Sequence, residues 1–420
     1  MRVLYTFSIR VYIAAIRLAS LFNRKAALWI SGRRGNTAGL KQYFESNDRG
    51  KGVIWFHCSS LGEFEQGRPV IEKIRTAFPG YRILLTFFSP SGYEIRKNYD
   101  KADFITYLPA DTPGNVRNFL NTVKPAMAFF VKYDYWFNFL IELKSAQVPV
   151  FVISALFRKD HYFFKWYGYW FFRQLDAIEW FFVQDDQSMT LLNEKGKTNV
   201  TVTGDSRFDR VAEISQTKKE LPLIRKFCGN NQVLIAGSTW PEDEELLLPF
   251  FTREFSRIRL IIAPHDTSPG RIREITGRLG SPSIKFSMLD SENAGSAGIL
   301  IIDTVGILAQ LYQFATVAYI GGGFGNGIHN IQEPVAFGVP VIFGPKYHKF
   351  TEAVELIKLG GAFSVRADRE LKETLDDLLS GTGKYEEARA VCRQYIEKNR
   401  GATGRIIKKI ESTGFPFSPP

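Results

Sequence analysis

From residue 52 onward, short apolar runs alternate with stretches of amphipathic helical period. GVIWFHCSS is followed by EFEQGRPVIEKIRTAF, RILLTFFS by SGYEIRKNY, and FITYLP by NVRNFLNTV. AMAFFVKYD, WFNFLIELKSA and VPVFVISAL continue the alternation, and EWFFVQDD and NVTVTGDS carry it to about residue 210. Strand-length runs separated by helices predict βαβ units, hence a parallel sheet covered on both faces. The polar, Lys-rich stretch EISQTKKELPLIRKF breaks the rhythm. It then restarts with QVLIAGSTW, IRLIIAPH, ILIIDT, TVAYIGGG and VPVIFGP. The pattern predicts an α/β protein of two Rossmann-like domains facing a cleft, at 41–212 and 229–420, joined by a linker at 213–228. The last helix is free to pack back on the N-terminal domain. Ligands of such sheets bind beyond the carboxyl ends of the strands.

Residues 1–40 read differently. No acidic residue occurs from Met1 to Phe44, while Arg2, Arg10, Arg17, Arg24, Lys25, Arg33 and Arg34 all fall there. Arg10, Arg17 and Arg24 recur every seven residues, so a single helix would line them on one face. Between them run VYIAAI, LASLF and AALWI, none long enough to span a bilayer. No small-residue cleavage site follows a single apolar block, which argues against a signal peptide. The pattern predicts a basic amphipathic helix lying on an anionic inner leaflet; the bland alternative packs it on the protein's own surface. A second unusual stretch, HYFFKWYGYWFFRQ at 161–174, suits either a membrane interface or a heavily aromatic helix in the first core.

With 420 residues the chain has room for two cores, and its net charge of +11 calls for an anionic partner. Nucleic acid fits poorly, because the basic residues are interleaved with apolar ones and no recognised binding motif appears. The three cysteines, Cys58, Cys228 and Cys392, are too few and too scattered for a disulfide framework. No D-x-D or H-x-x-x-H pair occurs, so no metal site is expected.

Candidate chemistry gathers at strand ends. In HCSSLGEFEQGRP, Gly62 would allow a tight turn and Glu63 would open a helix. Glu63 reads either as a favourable charge near the helix dipole or as a general base. His57, Ser59 and Ser60 invite a hydrolase reading, but the G-x-S-x-G elbow is absent. In the second half, GGGFGNGIHNIQEP could admit a phosphate, with Asn330 and Glu333 placed for ribose hydroxyls. Gly237, Ser238 and Thr239 could hold a phosphate or a carboxylate, or merely cap a helix. His265 in IIAPHD is as consistent with a structural loop residue as with a ligand contact.

The order of these motifs resembles the Kdo transferases of lipopolysaccharide assembly, which move 3-deoxy-D-manno-oct-2-ulosonic acid from CMP-Kdo onto a lipid A precursor. The resemblance runs through WFHCSSLGE, TYLPADTPGNVRNFLNTVKP, VTGDSRFD, IAGSTWPEDEE and DTVGILAQLYQFATVAYIGGGFGNGIHNIQEPVAFGVPVIFGP. It implies the GT-B architecture, an inverting and metal-independent transfer without cofactor, and a peripheral place on the cytoplasmic face of the bacterial inner membrane. It implies Glu63 as the base, with Ser59, Ser60 and Gly62 on the acceptor side and Lys132 and Arg207 as further catalytic positions. CMP would be held by Gly237, Ser238, Thr239, Pro264, His265, Gly306, Ile307, Leu308, Asn330, Ile331, Gln332 and Glu333. Three positions depart from the family pattern. Lys132 in KYDYWF stands where a glutamate is common, with Asp134 kept as the second acid; Arg207 replaces a lysine; and Pro264-His265 replaces Pro-Arg. A sugar-nucleotide epimerase of the same architecture is the competing reading.

Overall fold

A computed structural model describes residues 1–217, 219–253, 258–279, 282–381 and 383–412. The chain divides into two compact units, one comprising residues 1–210 and a returning segment from Arg400, the other residues 211–399. Each carries a seven-stranded sheet whose paired strands all run parallel.

The first sheet comprises β1 (Val53–Cys58), β2 (Arg82–Phe87), β3 (Phe104–Tyr107), β4 (Pro125–Val131), β5 (Val150–Ala155), β6 (Trp180–Val183) and β7 (Val200–Val202), in the order β3-β2-β1-β4-β5-β6-β7. Every residue of β1 is buried, as expected of a central strand covered by helices on both sides. Trp55, Phe130 and Phe139 belong to one core cluster, and Phe56, Phe129 and Phe151 to a second. Helix α4 (Leu61–Ala77) packs on the second cluster, where a Cβ on Gly67 would lie 3.1 Å from Val131 Cγ2. Ile406, Ile407 and Ile410 of the returning helix Ala402–Ser412 complete that cluster.

The N-terminus is not one helix. α1 (Arg2–Ala19) stops, Asn23 accepts hydrogen bonds from the Lys25 and Ala26 amides, and α2 (Arg24–Ser31) begins there; α3 (Asn36–Ser46) follows. Arg10 and Arg17 therefore share a helix and Arg24 opens the next, because a good N-cap side chain restarts the backbone. The segment 161–174 is likewise broken, into turns Tyr162–Phe164 and Trp166–Gly168 and the helix Tyr169–Gln174. Phe163, Trp170 and Phe171 pack on the first core, whereas Trp166 and Tyr169 are 92% and 70% exposed. The core-packing expectation thus holds for part of the segment, although not as one helix, and the rest is exposed.

The second sheet comprises β8 (Gln232–Thr239), β9 (Ile258–Pro264), β10 (Ser283–Lys285), β11 (Ile299–Ile301), β12 (Val317–Ile320), β13 (Val341–Phe343) and β14 (Ala362–Ser364), ordered β10-β11-β9-β8-β12-β13-β14. The stretch expected as a linker holds the end of the helix Arg207–Gln216 and the helix Pro222–Cys228, which buries Ile224, Phe227 and Cys228. Its polar residues conceal an apolar stripe, and the whole of it falls in the second unit. In each sheet the direction of winding reverses beside the first strand, between β1 and β4 and between β8 and β12. Crevices at the carboxyl ends of strands form at such reversals.

Candidate active site

In the first unit the loops after β1 and β4 flank the reversal. Ser60, with extended backbone, is the N-cap of α4, and Glu63 falls in the first turn. The Ser60 hydroxyl donates to Glu63 Oε2; Oε1 has no protein partner among the described residues. Glu63 thus lies in the favourable field of the helix with one oxygen uncommitted among the described residues, an arrangement that excludes neither of its two readings. Gly62 plays no part in turning the chain. Its φ is not positive, and a Cβ there would meet only Ser60 Oγ, at 3.7 Å. The turn is made by Ser59 and Ser60, and glycine leaves the approach to Glu63 open.

Ser59 donates its hydroxyl to Asp134, and its carbonyl accepts the Ser89 amide at 2.7 Å, which joins the loops after β1, β2 and β4. His57 is fully buried beneath them, with Nδ1 2.9 Å from Thr86 Oγ1 and Nε2 2.9 Å from Asp134 Oδ2. Trp136 Nε1 reaches the same His57 nitrogen at 3.0 Å. The carboxylate thus separates the serine from the imidazole, and no hydrolytic relay forms. The sequence reading missed this cluster because the pairing of His57 with Asp134 depends on β1 and β4 being neighbours.

Lys132 directly follows β4 in a left-handed conformation, φ 68°, with its amide bonded to the Ile153 carbonyl at 2.9 Å. Its ammonium sits 4.9 Å from the Tyr133 ring centre. Arg207 is bound to Asp205, with Nε and Nη2 at 2.8 and 2.6 Å from Oδ2. Burial alone would raise the Asp205 pKa, but the Arg207 charge and hydrogen bonds hold it below the usual carboxylate value. Arg207 therefore braces the loop after β7, and the structure does not bring it to Glu63 by any direct bond.

In the second unit the strand ends also converge on the reversal. Ser238 is a bulge residue with φ 54°, where the β8–β9 register shifts. A Cβ on Gly237 would collide with the Tyr312 hydroxyl, and Leu308 Cδ2 lies 3.1 Å from the same point. Thr239 is buried and donates to Glu244 Oε1 at 2.9 Å, so its hydroxyl is committed inside the fold. It does not cap the following helix; Asp243 does that work, accepting from the Trp240 amide at 2.9 Å. The same Asp243 oxygen takes the Gly322 amide at 2.8 Å, while its other oxygen takes the Tyr319 hydroxyl at 2.9 Å. Asp243 and Glu244 are fully buried: Asp243 ties the end of β8 to β12, and Glu244 pairs Thr239 with Arg271, roles hidden in the acidic run PEDEE.

The first three glycines of GGGFGNG are explained by backbone contact before any ligand. A Cβ on Gly321 would lie 2.6 Å from Thr239 Cα, and one on Gly323 equally close to Gly344 Cα. Downstream, Asn330 Nδ2 donates to Glu333 Oε1 at 3.2 Å and its Oδ1 accepts the Gln332 amide at 3.0 Å. Ile331 and Gln332 are buried, and both side-chain amide atoms of Gln332 lack a partner among the described residues. A buried unsatisfied amide beside a strand-end loop marks a place where a polar ligand would be welcomed. His265 continues from Pro264 and stacks on Trp240, ring centres 4.6 Å apart, and on His329 at 4.7 Å. Trp240 Nε1 donates to His329 Nε2 at 2.9 Å, and burial, then the neighbouring His265, lowers the His329 pKa. Gly306, with φ 91°, and Ile307 lead into a short helix at Leu308–Leu311.

Among the described residues, no group of three or more His, Cys, Asp or Glu side chains is arranged to hold a metal ion. No helix among them is long and apolar enough to cross a membrane.

Two doubly wound parallel sheets with polar loops at their strand reversals are the GT-B architecture. The UDP-GlcNAc 2-epimerase from Neisseria meningitidis, solved bound to UDP-GlcNAc, superposes with a TM-score of 0.60 over 86% of this chain and 100% of its own, at 17% identity. That likeness is one of fold. The family described as 3-deoxy-D-manno-octulosonic-acid transferase (kdotransferase) matches residues 33–210. The 3-deoxy-D-manno-octulosonic acid transferase of Aquifex aeolicus is 30% identical over 373 residues, 86% of this chain and 97% of that protein. The enzyme of the same name from Chlamydophila psittaci is 27% identical, covering 74% of this chain and 73% of its own. The chain belongs to the Kdo transferase family and is a glycosyltransferase, which sets aside the epimerase reading.

Proposed function

We propose that this transferase moves Kdo from CMP-Kdo to a hydroxyl of a lipid A precursor at a membrane surface, with Glu63 as general base. The observation that carries the assignment is the Glu63 carboxylate, fixed through Oε2 by Ser60 while Oε1 has no protein partner among the described residues. Oε1 takes the acceptor proton as the acceptor oxygen attacks the anomeric carbon of Kdo. The bond from that carbon to the CMP phosphate oxygen breaks, and CMP leaves with the electron pair. Attack opposite the leaving group inverts the centre. Asn330 and Glu333 are suited to ribose hydroxyls, and the unpartnered Gln332 amide to a polar edge of the nucleotide. Membrane association is supported by α1, whose Val3, Leu4, Phe7 and Leu18 are exposed, and by the exposed Trp166 in the same unit.

The test is CMP release from CMP-Kdo in EDTA, with and without tetraacylated lipid A precursor, for the wild type and Glu63→Gln. Acceptor-dependent release by the wild type, reduced about a hundredfold or more in the variant, is expected. Equal release from both proteins would remove Glu63 from the chemistry, and none from either would remove the donor and acceptor assignment.

A further inference from the structure

A cavity of about 560 Å³ opens in the first unit between the end of α1, α2 and the loop after β3. Arg17, Arg33 and Arg34 line it, and no carboxylate does. None of the three forms an ion pair among the described residues. Arg33 is the most enclosed. Its guanidinium donates to the Leu108, Trp29 and Phe88 carbonyls at 2.8, 3.1 and 2.7 Å and lies 3.7 Å over the Trp29 ring. Burial lowers its pKa to about 9, the cost of a cation enclosed without a counterion. Arg33 is half-buried and spends hydrogens on three carbonyls, so with the exposed Arg17 and Arg34 three positive charges border a cavity whose lining offers no carboxylate, and an anion would complete it.

The rest of the wall describes that anion further. Asn115 spends its Nδ2 on the Ala110 carbonyl at 3.0 Å and keeps Oδ1 for a donor. Ser20, bonded through its hydroxyl hydrogen to the Arg17 carbonyl, keeps an acceptor oxygen. Hydroxyl groups on the ligand would satisfy both. Leu21, in the lining, is 71% exposed and is followed by Phe22, 88% exposed, in the turn directly after α1, the helix that the proposed membrane contact uses. The volume exceeds that of a bare phosphate several-fold and falls in the range of small-ligand pockets.

We propose that this cavity is a stoichiometric site for one anionic glycerophospholipid. Its phosphate is bound by Arg17 and Arg34 against the fixed charge of Arg33, its headgroup hydroxyls face Ser20 and Asn115, and its acyl chains leave past Leu21 and Phe22. The phosphate accepts charge-assisted hydrogen bonds from the arginine forks. This differs from diffuse attraction to a charged leaflet, because a single lipid monomer would bind with defined stoichiometry in the absence of a bilayer.

The full chain is titrated calorimetrically with dioctanoyl-phosphatidylglycerol below its micelle concentration, with dioctanoyl-phosphatidylcholine as control. The Arg17→Ala/Arg34→Ala variant is compared, both side chains being exposed and outside the core. One-to-one binding of the glycerol lipid, at least tenfold weaker in the variant and absent for the choline lipid, is expected. Lack of saturable binding by the wild type, or equal binding by both proteins, would overturn the site. In parallel, the variant's KM for the lipid A precursor is measured. A tenfold rise there with phosphatidylglycerol binding unchanged would give the cavity to the acceptor and refute the phospholipid assignment.

Discussion

Lys132 and Ser238 hold left-handed backbone angles that glycine would adopt at less cost, and each stands at the carboxyl end of a strand bordering a reversal. Strain of this kind persists where the side chain is worth keeping. Lys132→Gly should therefore raise the unfolding free energy by about 0.5–1 kcal/mol while lowering Kdo transfer about tenfold or more. Urea denaturation and initial rates of transfer read the two effects separately, and a variant that gains stability without losing activity would make Lys132 dispensable. The positions of Glu63, Lys132 and His265 at strand ends were legible in the sequence because apolar runs stop there. That His57 meets Asp134, or that Asp243 collects donors from Trp240, Gly322 and Tyr319, was not. Those bonds cross between strands whose neighbours only the sheet order supplies.

At the scale of elements, apolar periodicity located the central strands because they are buried on both faces and read as continuous hydrophobic runs. It passed over β10 and β14, whose few residues sit at sheet edges and are partly exposed. It also fused α1 with α2, since charge spacing carries no trace of the cap at Asn23. How α1 is held was equally invisible. Tyr5 donates to Asp111 Oδ2 at 2.6 Å, and the Asn138 and Phe139 amides reach the same carboxyl at 3.1 and 3.0 Å. Arg2 adds a bond to Asn138 Oδ1 and an ion pair with Glu142. Burial pushes Asp111 up to about 6 despite those donors. Between its ordinary value of 3.8 and about 6 the folded protein holds a proton that the unfolded chain has lost. Stability from this group is therefore complete at low pH and declines as pH rises through that window, by about 2–3 kcal/mol. Asp111→Asn should abolish that decline, so the stability difference between variant and wild type should grow in the variant's favour from about pH 4 to about pH 7. Urea melts of both proteins across that range check it, and parallel curves would contradict it.

The whole molecule is two units connected twice, since the segment from Arg400 returns to the first. Its helix places Ile406, Ile407 and Ile410 in the core beneath α4, worth about 5–6 kcal/mol at about 2 kcal/mol for each buried side chain. That is a large part of what holds a domain folded, about 5–15 kcal/mol. A chain ending at Asn399 should lose the first unit's thermal transition at its usual temperature and keep the second unit's transition unchanged. Scanning calorimetry with limited proteolysis distinguishes this from a uniform shift of both, which would mean that the helix supports the two alike. The same connectivity sets a timetable during synthesis. The ribosome completes all seven strands of the first sheet early, then spends about ten to forty seconds on residues 211–399 before the isoleucines that seal its underside are made. Throughout that interval a nascent chain carries an open apolar face under α4, and its second unit becomes able to fold only as the interval ends. Chaperones have the most to protect in that interval.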